Sequence, residues 1–183
     1  NGWHRDVSAR LLYQRQDQTV VAALEKMVAD AAIPQGRATA LHLLQGLASL
    51  REDVALQALS DQSPLVRVQA LRVAEKLVAE SATVRQRLVQ MAKDSDIEVR
   101  YQAAFSLGSV GTRAAVAALS RLAMENQADS WLEMAILSSL SRGADQAFQT
   151  LAADATYRGT PAGRKILVTL AEQIGANGRN SEI

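Results

Sequence analysis

The stretch Ser63-Pro64-Leu65-Val66-Arg67-Val68-Gln69-Ala70-Leu71-Arg72-Val73-Ala74 has the pattern of the start of an amphipathic helix. Proline is favoured at the first helical position, where its missing N–H costs no hydrogen bond, and Ser63 before it is a good N-cap type. Arg67 follows three residues after the proline, and we call the residue at this position the marker. The apolar residues after the marker fall on one face of a 3.6-residue helix, at +3, +4, +7 and +10: Ala70, Leu71, Ala74 and Leu77.

The same motif recurs along the chain. The other two prolines stand in Pro34-Gln35-Gly36-Arg37 and Pro161-Ala162-Gly163-Arg164. Gly2-Trp3-His4-Arg5 and Ile97-Glu98-Val99-Arg100 keep the register without proline, and Ser130-Trp131-Leu132-Glu133 has Glu as its marker. The markers are residues 5, 37, 67, 100, 133 and 164, with steps of 32, 30, 33, 33 and 31 residues. A recurrence of this length is typical of a solenoid, in which each unit buries its apolar face against its neighbours.

A second apolar stripe follows each first helix except the last, so the predicted unit is a pair of helices. The central residues of this stripe are Leu24, Leu56, Leu88, Leu119 and Phe148. The pattern predicts eleven helices, over residues 3–15, 18–31, 34–48, 51–60, 64–79, 81–93, 97–109, 112–125, 130–142, 144–154 and 161–175. Residues 155–160 are expected to be a link, and the Gly-rich tail after Gly175 is expected to end the last helix. The predicted N-caps are Ser63, Asp96, Asp129 and Thr160.

Composition favours packed helices and excludes several kinds of site. The 183 residues are 48% hydrophobic but only 4% aromatic, and the net charge of +1 gives no field that implies a nucleic-acid or membrane surface. The absence of cysteine excludes disulfides, thiolate catalysis, Cys-ligated zinc and covalent c-type haem attachment in this chain. No apolar run reaches the roughly 20 residues of a membrane span. Because neither terminus has an obvious capping unit, we expect a single domain over residues 1–183 that belongs to a longer protein.

Catalytic and metal-binding motifs are absent. His4 and His42 are the only histidines, and they form no HxxxH or HxxE pair, while no GxSxG motif occurs. We therefore expect no catalytic, cofactor-binding or metal-binding residues. Trp3 and Trp131 occupy the same place in their units, one residue after the first helical position. Either could anchor a partner, but packing over the turn between repeats is the simpler expectation.

The spacing of Asp and Arg in two units resembles that of HEAT repeats of the short bacterial kind. Asp61 lies six residues before Arg67, and Asp94 lies six residues before Arg100. The resemblance implies a right-handed α-α superhelix of about five and a half helix pairs. It also implies that these four side chains form a ladder between adjacent repeats and hold the turn amides. Other units depart from the pattern and weaken the case for a continuous ladder: Ala31, Gln127 and Arg158 replace the Asp, and Glu133 replaces the Arg.

A narrower resemblance concerns the stretches 1–6, 11–15, 98–108 and 135–140. They are similar to the HEAT segment of bacterial putative membrane-bound dehydrogenases, which join a sorbosone-dehydrogenase-like β-propeller to a C-terminal haem-binding cytochrome c-like domain. This resemblance implies an exported, periplasmic parent protein with its redox chemistry in the flanking domains. It does not place that chemistry here, because no CxxCH motif can exist without cysteine.

In a HEAT solenoid the second helices line the concave surface, so a row at one repeat position would run along it. The row and its neighbours are candidate contacts to a protein partner, with a merely solvent-facing role as the alternative: Lys26, Gln86, Arg87, Gln90, Arg121, Gln146, Gln149 and Thr150. The predicted function is a non-catalytic protein-interaction module or a scaffold that orients flanking domains. The alternatives are a spacer without a partner, a bilin lyase-like or DNA glycosylase-like enzyme, and a nucleic-acid-binding module. The net charge of +1 weakens the nucleic-acid alternatives.

Overall fold

The computed structural model describes residues 2–180, with side chains for all of these except Arg5 and residues 177–180. Within residues 2–180 there is no β-strand, so the predicted all-α fold is confirmed. The helices of this range are α1 (Gly2–Arg15), α2 (Val21–Asp30), α3 (Pro34–Gly46), α4 (Glu52–Ala58), α5 (Pro64–Ala74), α6 (Ala82–Met91), α7 (Ile97–Val110), α8 (Arg113–Glu125), α9 (Ser130–Ser139), α10 (Ala144–Ala153), α11 (Ala155–Gly159) and α12 (Pro161–Asn180). Single 3-10 turns at Gln18–Val20 and Glu75–Leu77 precede α2 and extend α5.

The chain forms two compact units, Asn1–Arg87 and Leu88–Ile183. In the first unit, the first helices α1, α3 and α5 pack in series, and the second helices α2 and α4 pack on one another and on α3 and α5. In the second unit, the first helices α7, α9 and α12 pack in series, as do the second helices α8 and α10. Within each unit, helix pairs therefore cover the apolar faces of their neighbours, as the repeat predicts.

The predicted apolar stripes form the cores of both units. The side chains at +3, +4 and +7 of three first helices are all buried: Ala40, Leu41, Leu44, Ala70, Leu71, Ala74, Ala103, Ala104 and Leu107. In α12 the positions +3, +4, +7 and +10 are Leu167, Val168, Ala171 and Ile174, and this predicted stripe is wrong, because Ile166 and Leu170 are buried whereas Val168 is 58% exposed. The reason is that α12 packs against α9, α10 and α11, so the face toward those helices is the one removed from water.

The helix starts follow the predicted chemistry at most positions. All three prolines begin a helix, at Pro34, Pro64 and Pro161. The carboxylates of Asp96 and Asp129 accept backbone N–H groups of the first turns of α7 and α9, as predicted. The Oγ1 of Thr160 accepts the N–H of Gly163 at 2.9 Å, again as predicted.

The N-cap at α5 differs from the prediction. Ser63 has the extended backbone of an N-cap, but its side chain makes no capping hydrogen bond. Its N–H instead donates to the carboxylate of Asp61 at 2.7 Å. The Asp therefore fixes this turn, although Ser is the better-known capping residue at that position.

Two boundaries near the C-terminal end were predicted wrongly. Residues 155–160 are largely helical rather than a link, because α11 occupies Ala155–Gly159 and the Asp154 carboxylate accepts the N–H of Tyr157 at 2.8 Å. α12 continues to Asn180 instead of ending near Gly175. A glycine inside a helix costs only about 1 kcal/mol, so it weakens α12 without ending it.

Candidate functional site

Arg37, the marker of α3, forms a two-point ion pair with Asp61 in the turn between α4 and α5. Its Nε and Nη2 donate to the two carboxylate oxygens at 2.7 and 2.9 Å. Both side chains are largely buried, with 14% of Arg37 and 13% of Asp61 exposed. Because Asp61 also holds the N–H of Ser63, one carboxylate joins neighbouring repeats and fixes the turn before α5. We call this arrangement a rung.

The surroundings keep Asp61 ionised. Partial burial by itself would raise the pKa of this carboxyl, but hydrogen bonds from Arg37 and the Ser63 amide outweigh it, helped by the positive charges of Arg37 and Arg67. The pKa of Asp61 consequently lies below its ordinary value of 3.8. The rung is thus a charge-assisted contact that depends on the negative charge of one residue.

Three of the markers share a second contact, in which the guanidinium donates to the backbone carbonyl six residues earlier, whereas Arg164 donates to the carbonyl of Gly159, five residues earlier. Nη1 of Arg37 donates to Ala31 at 2.6 Å, Nη1 of Arg67 to Asp61 at 2.9 Å, and Nη1 of Arg100 to Asp94 at 2.8 Å. The acceptor residue is Ala in one repeat and Asp in two. The contact therefore needs only the main chain, and the side chain at that position is free for another role.

The predicted ladder residues take separate positions around these turns. The marker in each Asp–Arg pair binds the carbonyl of its own Asp, while the Asp side chain binds an amide two residues later. Asp94 accepts the N–H of Asp96 at 2.9 Å, in the same way as Asp61 accepts that of Ser63. For Asp61, the guanidinium that meets the carboxylate comes from Arg37, one repeat earlier, which the six-residue spacing did not reveal.

Among the described residues, Arg100 forms no rung with the repeat that follows it. Gln127 stands at the position of Asp61 and Asp94 in their repeats, and its amide donates to the carbonyl of Met124 at 3.0 Å, within its own turn. Arg100 uses Nη1 for the carbonyls of Asp94 and Ser95. Within residues 2–180, its Nε and Nη2 make no hydrogen bond or ion pair. These are the atoms that Arg37 uses for Asp61.

The following repeat reverses the sign of the marker. Glu133 replaces Arg and pairs with Lys165, the residue after the marker of α12, at 2.7 Å. Tyr157 of α11 lies in the same region, and burial raises its pKa to about 12, with the charge of Glu133 adding to the effect. The buried Tyr157 Oη has no hydrogen-bond partner in the described part of the chain.

Two clefts occur at equivalent places, between the turn of one repeat and the second helix of the next. The Arg37 cleft has a volume of about 420 Å³ and contains the ends of α2 and α4 with Arg37 and Asp61. The Arg100 cleft has a volume of about 610 Å³. It is lined by Ala92, Lys93, Asp94, Arg100, Arg121, Glu125 and Asn126. The first cleft holds a carboxylate against its marker arginine, and the second holds none in that role.

The candidate partner contacts on the second helices divide into two groups. Five are exposed: Lys26, Gln86, Gln90, Arg121 and Gln149, and Thr150 is exposed with its hydroxyl bonded to its own helix. Lys26 pairs with Asp30 at 2.9 Å on the surface of α2. Arg87 and Gln146 are half-buried and bind main-chain carbonyls of neighbouring helices. Arg87 donates to Leu59 at 2.9 Å, and Gln146 donates to Arg113 at 3.3 Å.

The tryptophans are exposed, which contradicts the expectation that they pack over turns. Trp3 is 66% exposed and lies edge-on to His4. Trp131 is 67% exposed at the start of α9, close to the exposed Met134. Trp131 also borders an open depression of about 650 Å³ beside the loop from Glu125 to Asp129.

Neither a metal site nor a membrane span is present in the described residues. No group of three or more His, Asp or Glu side chains that could hold a metal ion occurs between residues 2 and 180. None of the helices in that range combines the length and the apolar character needed to cross a bilayer.

Comparisons with known proteins concern the fold. No curated protein matches the chain. Among solved structures, 17 chains match, one of them in the crystal structure of an engineered protein. That chain is 16% identical, the match covers 92% of this chain and 89% of that one, and the TM-score is 0.48. Residues 52–141, from the start of α4 to just beyond α9, match the family model of HEAT repeats.

Proposed function

We propose that the chain is a non-catalytic helical scaffold that binds a protein partner through the polar face of its second helices. The proposal is based on one repeat position, which lies two residues after the central residue of each second stripe. It is polar and exposed in α2, α6, α8 and α10, as Lys26, Gln90, Arg121 and Thr150, while Ala58 fills it in α4. A repeated exposed position gives a partner many similar contacts along a stack of helices.

The second unit supports the proposal more strongly than the first. Arg121 makes no hydrogen bond or ion pair with the described residues, so binding a partner would cost no internal contact. Lys26 of the first unit already pairs with Asp30. Arg87 and Gln146 are bound to carbonyls inside the fold, and we assign them to its stability rather than to the partner surface.

A capture experiment with matched variants tests this function. The immobilised chain is compared with the row variant Gln90→Ala/Arg121→Ala/Gln149→Ala and with the control variant Glu98→Ala/Ser109→Ala/Glu172→Ala, which removes three exposed side chains from first helices. We expect proteins that the chain and the control retain from a cell extract to be lost with the row variant. Equal retention by all three, or none by the unchanged chain, would contradict the proposal.

On the narrower resemblance of residues 1–6, 11–15, 98–108 and 135–140, we also propose that the scaffold orients flanking domains of a larger exported redox protein. The test is the reading frame on both sides of this sequence. A β-propeller before it and a CxxCH motif after it would support the proposal. A start codon directly before the codon of residue 1 would reject it.

A further inference from the structure

We propose that the Arg100 cleft binds the carboxylate of an Asp or Glu side chain from a protein partner, which completes the missing rung. This inference rests on the proposed function and names the chemistry that one part of the surface would recognise. Its basis is a comparison inside the molecule. Arg37 and Arg100 are both markers, and both donate Nη1 to the carbonyl six residues earlier.

The unused part of the Arg100 guanidinium fits a carboxylate. In Arg37, Nε and Nη2 form a fork that binds the two oxygens of Asp61 at 2.7 and 2.9 Å. The same two atoms of Arg100 make no hydrogen bond or ion pair with any described residue. Because a guanidinium held by Nη1 loses little further freedom when it forms a two-point contact, the site is partly organised before a ligand arrives.

The cleft has room for a ligand and a suitable charge. Its volume is about 610 Å³, against about 420 Å³ for the cleft in which Asp61 occupies the fork. Its charged lining consists of Lys93, Arg100 and Arg121 with Asp94 and Glu125. Three cations and two carboxylates leave one excess positive charge. This balance suits the single charge of a carboxylate better than the nearly double charge of a phosphate group at neutral pH.

Gln127 shows why the chain itself does not fill the site. An Asp at this position would continue the series begun by Asp61 and Asp94. Gln127 instead folds back onto the carbonyl of Met124. Arg121, from the exposed row of the second helices, lines the same cleft, so a partner lying on the second helices would reach it.

The experiment follows the Nε–H resonances of the arginine side chains by NMR, assigned with the variants Arg37→Lys and Arg100→Lys. The probes are N-acetyl-aspartic acid amide, the neutral N-acetyl-asparagine amide and inorganic phosphate, at constant ionic strength. We expect saturable shifts of Arg100 with the aspartic acid probe, with a Kd on the order of millimolar because one ion pair is formed. Arg37, whose fork is occupied, should not move, and the asparagine probe should have no effect on either.

Two variants with matched size separate this site from nonspecific attraction. Gln127→Asp should supply the carboxylate within the chain, abolish binding of the probe and move the Arg100 resonance toward that of Arg37. Gln127→Asn should leave binding intact. The proposal fails if Arg100 and Arg37 respond equally, if Gln127→Asp still binds the probe, or if phosphate shifts Arg100 more strongly than the carboxylate does.

These readouts are independent of the capture experiment. If Arg100 does not bind the probe but the row variant still loses its partner, the carboxylate site is rejected and the proposed function stands. If Arg100 binds the probe and the unchanged chain retains no protein, the proposed function fails while the anion site remains.

Discussion

The Arg37 cleft of the first unit and the Arg100 cleft of the second are each lined by a marker arginine, which occupies the same repeat position in both. Both arginines bind the carbonyl six residues earlier, but only Arg37 meets a carboxylate from the next repeat. The contact to the carbonyl is the same for both arginines because it requires only a main-chain carbonyl, which every residue has. The rung varies because it requires a particular side chain at one position of the neighbouring repeat.

The difference teaches that the marker arginine has two separable roles. Binding the carbonyl stabilises the turn that precedes its own helix. Forming a rung joins that helix to the next pair, and where the next pair lacks Asp the guanidinium remains available. A substitution at the Asp position of one repeat thus releases the guanidinium of the preceding marker from an internal contact.

The largest loss of stability is expected from a charge placed in the buried apolar stripes, which both units have. Leu71→Asp places a charge without a partner in the core, since Leu71 is fully buried. We expect a loss of about 5 kcal/mol or more, enough to unfold a domain of ordinary stability. The helical circular dichroism signal measures it, and Leu65→Asp, at an exposed position of the same helix, is the control. A full helical signal for Leu71→Asp would show that the stripe was wrongly assigned.

The rung itself is tested by Asp61→Ala against Gln127→Ala, the same repeat position in the two units. Asp61→Ala leaves the largely buried Arg37 and the Ser63 amide without their acceptor, and should cost about 3 kcal/mol in urea unfolding. Gln127→Ala removes a contact within an exposed turn and should change stability by less than about 0.5 kcal/mol. Equal losses would mean that the rung has no special role in the first unit.

Gly36 and Gly163 each directly precede a marker, so alanine substitutions at these two positions compare the first unit with the second. A Cβ at Gly163 would overlap the backbone carbonyl oxygen of Tyr157, so Gly163→Ala should destabilise the second unit by about 2 kcal/mol. A Cβ at Gly36 would meet the flexible end of Met27 at 3.2 Å and the Cβ of Ala31 at 3.6 Å, the latter an ordinary van der Waals distance. Gly36→Ala should therefore be neutral or stabilising by up to about 1 kcal/mol, because alanine favours the helix. Thermal unfolding of both variants tests these expectations. A Gly163→Ala variant as stable as the unchanged chain would mean that Tyr157 of α11 does not lie against Gly163.

Acid should weaken the rung of the first unit but leave the Gln127 turn unaffected. Because the folded pKa of Asp61 lies below its ordinary value of 3.8, its stabilising effect is present above that pH and is lost as the pH falls through the folded pKa. The difference in urea midpoint between the unchanged chain and Asp61→Asn, measured from about pH 6 to about pH 3, should therefore become smaller toward the acid end. A difference that stays constant or grows on acidification would contradict the ionised rung.

The smallest effects are expected for Arg87 and Arg121, which the sequence analysis assigned to the same candidate partner surface. Arg87→Ala loses the bonds to the Leu59 carbonyl and the Ser60 hydroxyl, and should cost about 1 kcal/mol. Arg121→Ala should change stability by less than about 0.5 kcal/mol, since Arg121 is exposed. The free energies of unfolding of the two variants are measured in urea. A larger loss for Arg121→Ala than for Arg87→Ala would mean that Arg121 makes a structural contact.

Most of the fold was predictable, and the site only in part. Buried Leu41, Leu71 and Leu107 follow from helical periodicity, and the starts of α3, α5 and α12 follow from proline chemistry. α11 was missed, although Asp154 is a good capping residue and Gly163 takes a place that Val66, Val99 and Leu132 fill in other repeats. A glycine there indicates that something else fills the space. The partner of Asp61 was missed because its contact to Arg37 spans 24 residues, which local spacing does not encode.

The sequence by itself determined the helix pairs, their period and their buried faces, because periodicity and capping are local properties of the chain. Only the tertiary structure decided which arginine meets which carboxylate, that Arg87 serves the fold while Arg121 faces solvent, and that Trp131 is exposed. Those outcomes depend on how neighbouring repeats approach one another. The same side chain can be a rung, a turn support or a free cation according to the single residue that the next repeat places opposite it.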